Sequence, residues 1–357
     1  GSCGVQDLSL MSWGLTDGGW ELAQELQRAA VLEMHRSQLW RQDPVAFADA
    51  VLGIVWAWNF ANLLGQQLLR TAREVLLRGA RAMDSDKGTR NRVTERTGAE
   101  SLTHSCDAGD FQEPLVVLDL CDILVLAKPP GWEVYDRNAE RQLAEFLVNL
   151  ERGQLPILTD FKHGCGFIHR LDVPSSGLVI AASTYEAWYH LQLQLVTGTL
   201  LREYLVLAHG LAPDRPEISA YIRWNEDAVA SGTFGKPSKT LLQVVGHVTK
   251  GPRSFSMLVI RIVTGRKHQI RSHLAWWGHP SVCDGKYAAR RTLMEDFGLC
   301  RRNFLHRCHL SFVDTRGDGP HHVWQPLAAD LAISLGEMRA IGKSQAAKVV
   351  WCQGRPP

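Results

Sequence analysis

Three short segments of this 357-residue chain set charged and hydroxyl-bearing side chains against rigid apolar neighbours. In the first, His169-Arg170-Leu171-Asp172 runs through Val173-Pro174-Ser175-Ser176-Gly177 into the apolar stretch Leu178–Ala182. A charged triplet in a loop bounded by Pro and Gly, leading into a buried strand, places an aspartate where a scaffold can hold it. The second is Leu201-Arg202-Glu203-Tyr204-Leu205-Val206-Leu207. Strand alternation puts Leu201, Leu205 and Leu207 on one face and Arg202, Tyr204 and Val206 on the other, so Tyr204 can face a cleft while its strand stays anchored. The third is Gly265-Arg266-Lys267-His268-Gln269-Ile270-Arg271-Ser272-His273-Leu274. Read as a helix, it carries His268 and Arg271 on one side, with Ile270 and Leu274 packing inward. A held carboxylate, a phenol, an imidazole and guanidinium groups are the side chains of proton transfer, nucleophilic attack and anion binding.

Elements must hold these groups in place. Residues 20–83 read as helical: Trp20 to Val31, then a stretch opened by Pro44 and running to Asn59, then Asn62 to Met83 with Leu64, Leu68, Ala72, Val75 and Leu76 on one stripe. The segment 84–111 is rich in Ser, Thr, Gly, Asp and Arg and reads as a linker. Beyond it the texture is mixed. Leu115–Lys128 reads as two strands closed by Pro129-Pro130-Gly131, and Asn138–Glu151 as a helix. Leu178–Ala182 is an apolar run and Tyr185–Val196 helical. Leu200–Leu207, Leu241–Val248, Phe255–Val263 and Phe304–Phe312 are strand-like. His268–Trp277 is a short helix and Leu327–Ile341 a closing one. This pattern predicts an α+β domain over 112–341, preceded by a helical extension over 1–83 and followed by a tail over 342–357.

The three segments, in this order and spacing, resemble the RluA-type pseudouridine synthase family. The likeness covers most of 115–331 and also takes in ILVLAKPPG at Ile123–Gly131, the block VTGRKHQIRSHLAWWGHPSVCDGKY, LHRCHLSF and WQPLAADL. It implies a mixed, largely antiparallel sheet flanked by helices, and a cofactor-free isomerisation of uridine to pseudouridine in structured RNA, ribosomal or transfer. On the matching positions it implies that Asp172 is the essential carboxylate, attacking ribose C1′ or removing the 2′ proton. Tyr204 is then the tyrosine that stacks on the base and takes the C5 proton, and Arg271 the arginine paired with the aspartate. A guanidinium beside a carboxylate buried beneath a base favours its charged form, and breaking such a pair leaves one charge uncompensated. Arg170 matches the residue that fills the gap left by a flipped nucleotide, and flipping is needed because a stacked base hides both its faces. His169, Arg266, Lys267 and His268 complete the expected RNA contacts. Ser175, Ser272 and Lys267 stand where Thr, Val and Thr are common in the family, and none of these departures removes a catalytic group.

Composition agrees with a folded RNA-directed enzyme without requiring one. The formal net charge is only +2, but 261–307 holds ten Lys/Arg against three Asp/Glu, a candidate phosphate-binding face. The eight cysteines are scattered with no CxxC pair, as expected in a reducing intracellular compartment, whether cytoplasm or organelle. No apolar run approaches the ~20 residues that span a bilayer, so no membrane is expected, and a monomer is. His163, Cys165 and His169, or His306, Cys308 and His309, lack the paired spacing of a zinc site, so no metal is expected either.

Plainer readings exist for each group. Asp172 could cap a turn, Tyr204 could be a half-buried strand residue, Arg271 a surface arginine and Arg170 a structural ion-pair partner. A non-catalytic RNA-binding protein or chaperone on the same scaffold is the rival function. The helices at 44–83 also resemble one unit of an octotricopeptide-type RNA-binding repeat. A lone unit cannot bury both faces, and an extension docked on the catalytic domain is the alternative.

Overall fold

The computed structural model describes residues 4–14, 20–86, 113–150, 155–225, 228–317 and 319–352. The elements, in chain order, are α1 (Val5–Gly14), α2 (Trp20–Arg36), α3 (Leu39–Gln42), α4 (Pro44–Phe60), α5 (Gln66–Asp86), β1 (Leu115–Asp119), β2 (Ile123–Lys128), α6 (Leu143–Leu150), β3 (Ser176–Ala182), α7 (Tyr185–Thr197), β4 (Leu201–His209), β5 (Glu217–Asn225), β6 (Ala228–Gly232), β7 (Lys236–Lys250), β8 (Arg253–Ile262), α8 (Gln269–Trp276), α9 (Arg290–Asp296), β9 (Leu305–Val313), β10 (Pro320–Trp324), α10 (Ala329–Gly336), β11 (Arg339–Ala340) and α11 (Gln345–Cys352).

The strands make a mixed sheet in the order β1-β2-β3-β9-β4-β8-β7-β5-β6, with β10 on β9 and β11 on β7. Only β3 and β9 run parallel; the other pairs among the described residues are antiparallel. The expected α+β class, with a largely antiparallel sheet and an N-terminal helical region, is what the chain adopts. The alternation in β4 splits its side chains between two cores. Tyr204 and Val206 join the larger one, built from the N-terminal helices, β2, β3 and α7. Leu205 and Leu207 join a smaller one with Val248, Phe255 and Leu331 on the opposite face.

The N-terminal helices dock on α7. Asp43 caps α4 by accepting from the Ala46 amide at 3.0 Å, with Pro44 in the first turn. Phe47, Val51, Ile54, Val55 and Trp58 of α4 are buried. Asn59 donates to the Val196 carbonyl at 3.3 Å. Asp84 accepts from the first two amides of α7, Tyr185 and Glu186, at 2.9 Å each. A carboxylate at a helix N-terminus satisfies orphan N–H groups and meets the positive end of the dipole. That is why α5 continues to Asp86 where the sequence suggests a linker from 84; the rest of that linker, from 87, lies outside the described residues.

Other boundaries differ for local reasons. Glu133 accepts from the Asn138 and Ala139 amides and from Gln142 Nε2, at 2.6, 3.0 and 2.8 Å, so 133–142 folds as a loop and α6 starts at Leu143. The expected tail beginning at 342 is instead ordered as far as 352. A 3-10 turn at Gly342–Ser344 leads into α11, whose Trp351 is buried in the smaller core. Residues 353–357 of that tail lie outside the described residues.

Gly177 shows how closely the strands approach near Asp172. Its φ is +114°, and a Cβ there would lie 2.2 Å from the Arg307 carbonyl oxygen. Gly177→Ala is expected to cost about 1–3 kcal/mol from backbone strain alone, with the clash adding to it. A urea midpoint like that of the wild type would disprove this.

Candidate active site

A cleft of about 920 Å³ opens where β4, β5, β8, β9, the loop before β3 and the loop before α8 converge. Its lining includes Arg170, Asp172, Tyr204, Arg266, Lys267, His268, Arg271 and Arg307, so all three sequence segments meet here. The turn after Asp172 is fixed from several sides. The Ser175 amide donates to the Asp172 carbonyl at 2.9 Å, and Gly131 N–H to the Val173 carbonyl at 2.9 Å. Lys128, buried at the end of β2, donates through Nζ to the carbonyls of Pro129, Trp132 and Val173 at 3.0, 2.7 and 3.3 Å. Burial, and after it the nearby Arg302 charge, pushes the Lys128 ammonium down to about 7, against the pull of Asp172.

Arg271 spans two carboxylates. Its Nη1 donates to Asp172 Oδ2 at 2.7 Å, and its Nε and Nη2 donate to the two oxygens of Asp284 at 2.8 and 2.7 Å. Burial opposes the Arg271 charge, but the bonds to Asp284 and the attraction of both carboxylates outweigh it and hold its pKa above the usual arginine value. Asp284 is completely buried. It also accepts from Ser281 Oγ, Asn303 Nδ2 and the Lys286 amide at 3.1, 2.9 and 3.1 Å. Burial works against its ionised form, yet Arg271 and these donors keep its carboxyl below the usual range. Asp284 therefore fixes the arginine, and the arginine reaches across to the more exposed Asp172, whose side chain is 21% accessible.

Tyr204 sits opposite Arg307 in the β4–β9 register. Arg307 Nη2 donates to the Tyr204 hydroxyl and its guanidinium lies 4.8 Å from the Tyr204 ring centre. Arg307 Nη1 donates to His169 Nδ1 at 2.6 Å and to the Leu178 carbonyl at 2.9 Å. Burial, reinforced by Arg307 and Arg202, holds His169 well below its usual pKa, so the ring is neutral. His169, expected as an RNA contact, is thus buried against Arg307 and supports Tyr204 indirectly.

The remaining expected residues divide. Arg170 is partly exposed at the cleft and pairs with Asp136. His268 is not a helical residue: it takes φ +53° just before α8 begins at Gln269. The cause is Gln269, whose Oε1 accepts from Thr264 Oγ1 and the Arg266 amide at 2.7 and 3.1 Å, while its Nε2 donates to the Lys239 carbonyl at 3.0 Å. The loop carrying Arg266 and Lys267 is thereby closed on itself. His268 shares a hydrogen bond with the Tyr287 hydroxyl at 3.0 Å, and its Nε2 lies 3.7 Å from Asp172. Burial lowers its pKa to about 4 despite Asp172, so it too is neutral at pH 7.

Four members of the basic run 261–307 have carboxylate partners. Arg261 pairs with Glu203, Arg291 with Glu295, Arg302 with Asp330 and Arg271 with Asp172 and Asp284. Arg266, Lys267, Arg271 and Arg307 line the cleft, while Lys286, Arg290, Arg291 and Arg301 are exposed outside it. Among the described residues no three His, Cys, Asp or Glu side chains form a group able to hold a metal. His306 instead bonds Ser176, and His309 bonds Glu203.

Asp284, Arg307 and Lys128 were given no role by the sequence reading. For Lys128 the signal was a charged residue closing the apolar run Ile123–Ala127, where every residue is buried.

Two buried histidines make the fold acid-sensitive. Burial pushes both His273 and His306 from 6.5 to about 4. Between those values the unfolded chain binds more protons than the native one, so stability is intact above about 6.5 and falls as pH drops toward 4. Urea midpoints at pH 7.0, 5.5 and 4.5 are expected to decline in that order. A flat series would contradict the neutral state of these rings.

A family model described as RNA pseudouridylate synthase matches residues 122–276. The chain is 30% identical over 233 residues to ribosomal large subunit pseudouridine synthase C of Vibrio cholerae, covering 64% of this chain and 70% of that protein. It is 32% identical over 227 residues to YlyB of Bacillus subtilis, named as an uncharacterized RNA pseudouridine synthase, covering 62% and 71%. Among solved structures, human RNA pseudouridylate synthase domain containing 1 aligns with a TM-score of 0.49 at 19% identity, over 70% of this chain and 99% of that one. With identities of 30% and above over more than two thirds of these curated relatives, the chain belongs to the RluA family of RNA pseudouridine synthases and is an isomerase acting on RNA.

Proposed function

We propose that this enzyme isomerises uridines in structured RNA, ribosomal or transfer, with Asp172, Tyr204 and Arg271 as its catalytic residues and no cofactor. The observation that carries the site assignment is the chain Asp284–Arg271–Asp172 ending in the cleft beside Tyr204. Asp172 either attacks ribose C1′ or removes the 2′ proton. The N1–C1′ bond breaks, the uracil turns, and a C5–C1′ bond forms as the Asp172–C1′ bond breaks or, on the second route, as the 2′ proton returns to the sugar. The C5 proton then leaves and N1 gains one. Arg271 aims the Asp172 carboxylate through its Nη1 bond at 2.7 Å. Tyr204 stacks on the base, and its oxygen, which accepts from Arg307 Nη2, takes the C5 proton after its own hydroxyl proton has left to solvent. Arg170, released from Asp136, fills the gap left by the flipped nucleotide. Arg266, Lys267 and His268 contact the strand around it.

The names of relatives that act on the large ribosomal subunit favour ribosomal RNA as the first target to test. RNA carrying tritium at uridine C5 is expected to lose label to solvent when incubated with the protein. Pseudouridine mapping with and without the protein then identifies the site. Retention of all label across ribosomal and transfer RNA would overturn the proposal.

A further inference from the structure

The N-terminal helices reach the cleft. Trp56 of α4 lines it together with Leu195 and Val196 of α7, Arg202 of β4 and the Gly265–Arg266 loop. The Arg266 guanidinium lies 5.1 Å from the centre of the Trp56 ring, a cation–π distance. Trp56 is itself stacked on Phe60, 4.9 Å away at 13°, and the Asn59 bond to Val196 fixes this turn of α4 against α7.

Two guanidinium groups at this place lack the partners that buried cations normally have. Arg202 is 3% exposed. Its Nε has no hydrogen-bond partner, and its Nη2 makes only a long 3.5 Å contact to the Ile262 carbonyl. Arg266 has both Nε and Nη2 buried without a partner. Among the described residues neither forms an ion pair, whereas Arg261, Arg271 and Arg302 nearby all do. Gly265 packs over Arg202, so close that a Cβ there would lie 3.0 Å from Nη1. Burial lowers Arg202 only to about 10, which leaves it charged at neutral pH. Two donor-rich cations with buried, unpartnered nitrogens facing a cleft, and no ion-pair partner among the described residues, call for an anion from outside. Arg202 and Tyr204 share one face of β4, one strand repeat or about 7 Å apart, so that anion sits beside the position of the base.

We propose that Arg202 and Arg266 form a seat for a phosphodiester of the substrate RNA, and that Trp56 of the N-terminal helices holds Arg266 in it. This rests on the reading that the cleft takes RNA. Trp56 is a positioning residue here. The extension thereby becomes part of the substrate-binding surface without acting as a separate RNA-binding module.

The test measures affinity of the full chain for a fluorescein-labelled, uridine-rich single-stranded RNA by anisotropy across a salt series. Each phosphate contact on a single strand contributes about 0.7 to the slope of log affinity against log salt. Arg266→Gln and Arg202→Gln are each expected to reduce the slope by about that amount and weaken binding several-fold. Arg202→Lys keeps the slope. Trp56→Ala reproduces the Arg266→Gln slope, while Trp56→Phe, which keeps an aromatic face, stays near wild type. If Arg202→Gln does not fold, Arg266→Gln decides. Unchanged slopes in Arg266→Gln overturn the seat, and an unchanged slope in Trp56→Ala overturns the role of α4. Tritium release by the wild type without these slope changes removes the seat and keeps the isomerase site. Slope changes without tritium release do the reverse.

Discussion

Asp172→Asn is expected to lower turnover by at least about 10³-fold, within the range that a positioned acid–base or nucleophilic group contributes, while the protein stays folded. The reason lies in how Arg271 is shared. Three of its contacts set it in place, and two of them go to Asp284. Replacing the Asp172 carboxylate leaves the buried guanidinium bidentately paired with Asp284, so the fold keeps that ion pair and loses only the carboxylate proposed to react. Asn preserves the shape and one oxygen acceptor for Nη1. Tritium release from C5-labelled RNA measures the first effect and the urea midpoint the second. An active Asp172→Asn enzyme would end the assignment of this residue, and an inactive but unfolded one would mean that Arg271 depends on Asp172 more than its geometry implies.

The second large effect is the complement of the first. Asp284→Ala is expected to destabilise the protein by roughly 3–5 kcal/mol, the cost of removing one partner from a buried ion pair. Asp284 is fully buried and gathers Arg271, Ser281, Asn303 and the Lys286 amide. Without it, Arg271 keeps Asp172 as its carboxylate partner, Asn303 and Ser281 each lose a hydrogen-bond acceptor, and the aim of the arginine is lost. Activity should fall as well, since Asp172 would then pair with a mobile cation. Urea denaturation of the two variants gives the contrast: a large loss for Asp284→Ala and a small one for Asp172→Asn. Equal midpoints would show that the two carboxylates share Arg271 evenly.

The sequence was most informative where local pattern and local structure coincide. Period-two alternation in Leu201–Leu207 correctly separated Tyr204 and Val206 from Leu205 and Leu207, because the two faces of β4 meet two different cores. The order of HRLD, REY and GRKHQIR, with its likeness to a known family, gave the fold class and brought Asp172, Tyr204 and Arg271 to one cleft. It was less informative where a side chain organises its surroundings. Glu133 and Gln269 each gather amides and carbonyls over several residues, and so delay the start of α6 and α8.

Tertiary structure alone decided what depends on partners far apart in the chain. Arg271 and Asp172 are 99 residues apart and Arg307 and Tyr204 are 103 apart; the pairing of β9 with β4 joins the second pair, and the first joins a helix to the loop before β3. A charge count over the cationic run 261–307 cannot see that Arg261, Arg302 and Arg271 are paired with Glu203, Asp330 and Asp284. The same blindness hid Arg202 and Trp56. A basic residue on a strand and a tryptophan on a helix are ordinary in sequence. Burial without a counter-charge, and a helix end carried to the cleft by its docking on α7, arise only once the chain has folded. Periodicity fixes which face a residue takes, but the charge it meets there is set by contacts that no local pattern encodes.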